Sequence, residues 1–313
     1  PRILCVGPLL DGAEAWWPVV GRPHRDASSI RGSVAELAAA GVNAIKLYVN
    51  VSPEQVEAAV QEATAAGLPV LAHLGTTTLA EAVEGGVTEL EHMSGCVHHV
   101  GGSAAAGNGR SLAETILAAG VTLCPTLVVW DRLATVNEMV FRHDGRHRWV
   151  HPGIRRAWSR FPHRFGSADE RASRQQSVVE MKRMLLELHD AGCDVIAGSD
   201  TPWPNIVPGF GLHDELALMV DAGLRPVDAL ATATTSAARA LGLEGEVGTL
   251  SPGARADIVV IGGNPTEDIL SLADIRVVVR DGVPIASDEL EARSFDTWRE
   301  DPVSRLILGQ AGS

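Results

Sequence analysis

The feature that most constrains the fold is a unit that recurs five times: a helix-like segment ends in a small residue and glycine, and a short apolar strand follows. It reads AAGVNAIKLY, AAGLPVLAHL, EGGVTELEHM, AAGVTLCPTL and DAGCDVIAGS. Gly41, Gly67, Gly86, Gly120 and Gly192 each fall where a helix C-cap needs a left-handed residue. Helix starts are marked by capping-box spacing at Ser33/Glu36, Ser52/Gln55, Thr78/Glu81 and Ser111/Glu114, with Pro53 suited to a first helical position. Helices alternating with near-continuous apolar strands imply a parallel sheet covered by helices. The strands expected are Ile3–Val6, Ala44–Val49, Val70–Leu74, Glu89–Met93, Thr122–Val128 and Val195–Ser199. That is two short of a closed (β/α)8 barrel. The expected class is therefore α/β, a TIM-type barrel lacking its first two strands.

Beyond the last strand, HDELALMVDAG and PVDALATATTSAARALG read as two helices. From Gly245 to about Ser287, short β-branched runs between Gly and Pro suggest a small β domain. The domain reading is a barrel over 1–244, a β domain over 245–288 and a helix with a tail over 289–313. From about residue 130 to 175 runs an insertion rich in Arg, His and aromatics. Following a strand's C-terminal end, it is placed as a lid whose arginines hold a substrate carboxylate, or as a helical excursion whose arginines pair with acidic surface.

The formal charge of −13 over 313 residues argues against nucleic acid or an anionic membrane as the main partner. No apolar run approaches the roughly 20 residues of a membrane span. The four cysteines, Cys5, Cys96, Cys124 and Cys193, form no CxxC pair, so the simplest home is a reducing cytoplasm. A small-molecule substrate and self-association are the partners expected. The chain opens on Pro1 and an apolar run, which reads as the inside of a longer sequence.

Only two lysines occur, Lys46 and Lys182, and Lys46 stands inside the strand NAIKLYVN. Alternation puts Ile45, Leu47 and Val49 on one face and Lys46 and Tyr48 on the other. Burial disfavours the ammonium, leaving an amine able to add carbon dioxide and become a carbamate that binds metal. The alternative is a core lysine paired with a carboxylate. His73 in VLAHLG, His92 in ELEHM and Asp200 in VIAGSD also stand at strand ends. His73 and His92 follow their glycines by the same six residues, so imidazoles converge on one rim, as at a zinc-like catalytic site.

These residues, with GSDTP, LHDELALMVDAGLRPVDAL and the run Val247 to Pro265, VGTLSPGARADIVVIGGNP, resemble the amidohydrolase superfamily, in its imidazolonepropionase-like and prolidase-like branch. The resemblance covers nearly the whole chain. It implies one or two divalent metals, zinc foremost, with Lys46 carbamylated and bridging, His73 and His92 on one metal, and Asp200 on the other as proton shuttle. It also implies hydrolysis of a carbon–nitrogen bond by activated water. Tyr48, on the inward face two residues beyond Lys46, is placed to donate to the oxyanion or a substrate carboxylate, or to pack the barrel, and His213, opening the helix after Asp200, to touch substrate or structure. The family's first-strand His-x-His motif has no counterpart here, and the adjacent His98 and His99 are poor substitutes. The alternatives are a mononuclear site on Lys46, His73 and His92, and an inactive incomplete barrel that acts as an interaction or oligomerising protein.

Overall fold

The structure, a computed structural model, describes residues 2–97, 109–135, 144–159 and 168–286. The chain divides into two compact units, Pro1–Thr126 with Val179–Ile196, and Leu127–Val178 with Ala197–Ser313. His98, His99 and the tail expected from residue 289 lie outside the described residues.

The first unit is the repeated motif made solid. Strands β1 (Leu9–Asp11), β2 (Gly21–Pro23), β3 (Ile45–Leu47), β4 (Val70–Ala72), β5 (Glu89–Glu91) and β6 (Thr122–Cys124) form one parallel sheet in the order β2-β1-β3-β4-β5-β6. Helices α1 (Ala27–Ala40), α2 (Pro53–Ala65), α3 (Leu79–Glu84) and α4 (Gly109–Ala119) run between the strands. All five repeat glycines have positive φ, between 65° and 95°, as a left-handed helix exit requires. Ile30, Val34 and Leu37 make one buried face of α1, which packs on α2, and Val56, Ala59 and Ala63 of α2 and Ile45, Leu47 and Leu90 of the sheet are buried as well.

Several expectations change. Ile3–Val6 is not a strand: Ile3 is 72% exposed, and the first strand starts at Leu9. β2 was not foreseen, because Gly-Arg-Pro carries no apolar signal. The strand expected to reach Val128 stops at Cys124, since Pro125 has no N–H for a ladder and Leu127 starts a helix. Val195–Ser199 contributes only a bridge from Val195 to Leu123. Ser52/Gln55 and Thr78/Glu81 form capping boxes. Ser33 and Ser111 do not cap: α1 is capped by Asp26 with Ser29, and Ser111 lies inside α4.

The second unit holds α5 (Leu127–Ala134), α6 (Pro152–Trp158), α8 (Phe210–Asp221), α9 (Pro226–Thr232) and α10 (Thr235–Ala240). The long helix α7 (Ala168–Asp190) divides between the two units. The single helix expected after Pro226 is split. Thr232 and Thr234 turn their hydroxyls onto the carbonyls of Ala229 and Leu230, which competes with helix propagation. A three-stranded antiparallel sheet follows, from β7 (Ile258–Ile261), β8 (Ile275–Arg280) and β9 (Val283–Ala286). Asp281 and Gly282, both with positive φ, make the tight β8–β9 turn.

Candidate functional site

In the first unit the register stacks polar residues in rows on one sheet face. Lys46 lies beside Leu71, which lies beside Glu89, which lies beside Thr122. Two residues on, the same register aligns Tyr48, His73, Glu91 and Cys124. Lys46 is buried, and its Nζ lies 3.1 Å from Glu91 Oε1. That is the carboxylate pairing the sequence left open beside carbamylation. Glu89 is pushed up to about 7, by burial first and then by the neighbouring Glu91 charge, with Lys46 opposing. Ligand atoms of Glu89, Glu91 and Cys124 all lie within 4.8 Å of one another, close enough to hold a metal ion. The sequence reasoning passed over these three. Their signal was alternation, since Glu89 and Glu91 flank the buried Leu90.

His73 and His92 come together, their ring centroids 4.6 Å apart, and Tyr48 meets His73 edge-on at 5.0 Å. β5 ends before His92, which has φ 63° and donates its backbone N–H to Cys124 O at 2.8 Å. The ring is therefore placed by a left-handed turn rather than by strand alternation. His92 Nδ1 is 2.7 Å from Thr126 Oγ1. His73 Nδ1 is buried and has no hydrogen-bond partner among the described residues. Burial holds both imidazoles neutral: His92 is pushed down to about 3, with Lys46 adding to the effect, and His73 falls well below its ordinary value, helped by His92 and Lys46.

Tyr48 is held by a residue the sequence reasoning missed. Trp17 Nε1 donates to the Tyr48 hydroxyl at 2.9 Å. The Trp17 loop is anchored by the buried Asp11 carboxylate, which accepts the N–H groups of Gly12, Trp16 and Asn50. One side chain thus ties the loop after β1 to the loop after β3.

Asp200 and His213 belong to the second unit. Asp200 is exposed, in the left-handed region at φ 48°. His213 is half-buried on α8, and burial lowers its pKa. Two arginines of the expected lid face acids of this unit. Arg132 bonds Asp131 and Asp214, and Arg146 bonds Asp144 and Asp214. Those pairings match the reading of a helical excursion whose arginines meet acidic surface. Beside them the buried Glu215 accepts the N–H groups of Leu127 and Val128, satisfying the first turn of α5.

Two neutral imidazoles, one with an orphaned ring nitrogen, are donors that suit a divalent transition metal, and Glu89, Glu91 and Cys124 form a separate group of such donors. The chemistry open to such a set is polarisation of a carbonyl and activation of water.

Comparison with known proteins bears on the family and the fold. The profile of the amidohydrolase family matches residues 28–286. The imidazolonepropionase of Symbiobacterium thermophilum is 41% identical over 80 residues, and that of Rubrobacter xylanophilus 62% over 84. Each match covers 25% of this chain and only 18% of the relative's length. Among solved structures, a bottromycin amidohydrolase superposes with a TM-score of 0.76 at 27% identity, covering all of this chain and 68% of that one. A Xaa-Pro dipeptidase with bound methionine gives 0.62 at 19% identity, over 85% of this chain and 60% of that one, a likeness of fold.

Proposed function

The chain belongs to the amidohydrolase family, and from that premise we propose that it is a metal-dependent hydrolase that opens a carbon–nitrogen bond, of a dipeptide, an N-acyl amino acid or a cyclic amide. The observation that carries the reading is the pair of neutral, buried imidazoles 4.6 Å apart, one with its Nδ1 unpartnered. Names among the relatives support the bond type, since they include imidazolonepropionases and a bottromycin amidohydrolase.

In this reading His73 and His92 hold a divalent metal, zinc foremost, together with Lys46 as its carbamate and Asp200. The metal, when bound, supplies Lewis acidity toward a carbonyl oxygen and toward water. For carbamylation the Lys46 ammonium would first give up a proton, to which Glu91, 3.1 Å away, is the nearest placed acceptor, and the amine so formed would join carbon dioxide with release of a second proton. Asp200 takes the proton of the attacking water and returns it to the leaving amine. Tyr48, its oxygen already accepting from Trp17, turns its own O–H toward the substrate as an oxyanion or carboxylate donor. His213 contacts the substrate. The domain division at 244/245 and a cytoplasmic setting belong to the same proposal; no helix among the described residues is long and apolar enough to cross a membrane.

The test is turnover of a panel of dipeptides, N-acyl amino acids and cyclic amides by protein supplied with zinc or manganese. We expect hydrolysis that stops with chelator, returns with metal and is absent in Asp200→Asn. Failure across the panel by metal-loaded protein would contradict the reading.

A second reading rests on β2, which among the described residues is paired on one side only, with Trp16, Val19 and Val20 exposed beside it. An open edge of this kind recruits another strand. In that case the chain acts as an interaction protein, and self-association without metal or turnover would favour it.

A further inference from the structure

Resting on the reading of His92 as a metal ligand, we infer that Thr126 is a positioning residue that fixes the tautomer of His92 and so presents Nε2 as the ligand atom. A neutral imidazole has one N–H and one lone pair, and whichever nitrogen donates leaves the other to bind. His92 Nδ1 lies 2.7 Å from Thr126 Oγ1, with the ring buried and Thr126 fully buried. With the proton on Nδ1 and donated to the threonine oxygen, Nε2 carries the lone pair. An alcohol suits this task because its oxygen can accept the bond without bringing a charge to the ring.

The backbone argues the same way. Thr126 has φ 48°, a conformation that β-branched residues rarely adopt. It sits between the end of β6 and the start of α5, where glycine or asparagine would be less strained. What the strained residue supplies is its hydroxyl. His92 is gripped twice by this corner, through its backbone N–H on Cys124 O and through its ring on Thr126. His73 lacks any such partner on its Nδ1 among the described residues, so the two imidazoles are not equivalent. The corner thus orients one ligand before metal arrives.

The experiment compares wild type, Thr126→Val and Thr126→Ser in two ways: zinc affinity by competition with a chromophoric chelator, and ¹⁵N NMR of the histidine rings in the metal-free proteins. Valine keeps the shape and the branching while removing the oxygen; serine restores the oxygen. We expect zinc affinity to fall about 10–100-fold in Thr126→Val and to stay within a few-fold in Thr126→Ser. In metal-free wild type, the His92 proton should sit on Nδ1. Equal zinc affinity for wild type and Thr126→Val would overturn the inference. So would a His92 proton on Nε2 in wild type, which decides the matter even where Thr126→Val fails to fold. Wild type that binds no zinc while His92 is protonated on Nδ1 would sink the metal reading and leave the tautomer assignment supported.

Discussion

At Lys46 the ammonium gains the Glu91 carboxylate at 3.1 Å and gives up hydration, since the two side chains are only 9% and 15% exposed. A pair buried this deeply contributes little net stability, yet removing one partner strands the other. Lys46→Met should therefore cost on the order of 3 kcal/mol in urea unfolding, and adding Glu91→Leu should recover most of it. A single substitution costing under about 1 kcal/mol would show that Glu91 has other support. Lys46 was legible from the sequence because one lysine in an apolar strand stands out. Its partner was hidden beside His92, whose chemistry drew the attention. Thr126 and Trp17 were not legible at all, because both act through long-range contacts, over 34 and 31 residues, at corners whose geometry no local pattern encodes.

At the scale of elements, Glu215 of α8 supports α5. Its carboxylate accepts the N–H groups of Leu127 and Val128 at 2.9 and 2.7 Å, and burial pushes its pKa up to about 8, against an ordinary 4.5. Between those values the folded chain keeps a proton that the unfolded chain has released. Stability from this group is thus fully present below about 4.5 and is lost as pH rises toward 8. Measured as melting temperature and unfolding free energy, the advantage of wild type over Glu215→Gln should shrink by a few kcal/mol from about pH 5 to 8. A difference that does not change with pH would refute the assignment. Elements were legible where local chemistry decides them: Gly41 and its four equivalents end helices, and Ser52 and Thr78 begin them. They were misread where it does not. Ile3–Val6 is apolar yet exposed, and β2 is strand only because β1 pairs with it.

For the whole molecule, an acidic chain with pI near 5.3 belongs to the amidohydrolase family and carries a parallel sheet with a small antiparallel one. The fold class was legible because a repeated helix–glycine–strand unit has few ways to bury itself. That His73 and His92 come together was legible in their equal spacing from Gly67 and Gly86; the grouping of Glu89, Glu91 and Cys124 was not, because they reach one locality only through sheet register. What unites these parts is the proposal that the paired imidazoles hold a metal. The most direct measurement is metal content per chain by elemental analysis, for protein expressed with zinc or manganese and dialysed, against His73→Ala/His92→Ala. About one or two ions per chain in wild type and a near-complete loss in the double variant are predicted. Wild type without metal, or a double variant that retains it, would contradict the account.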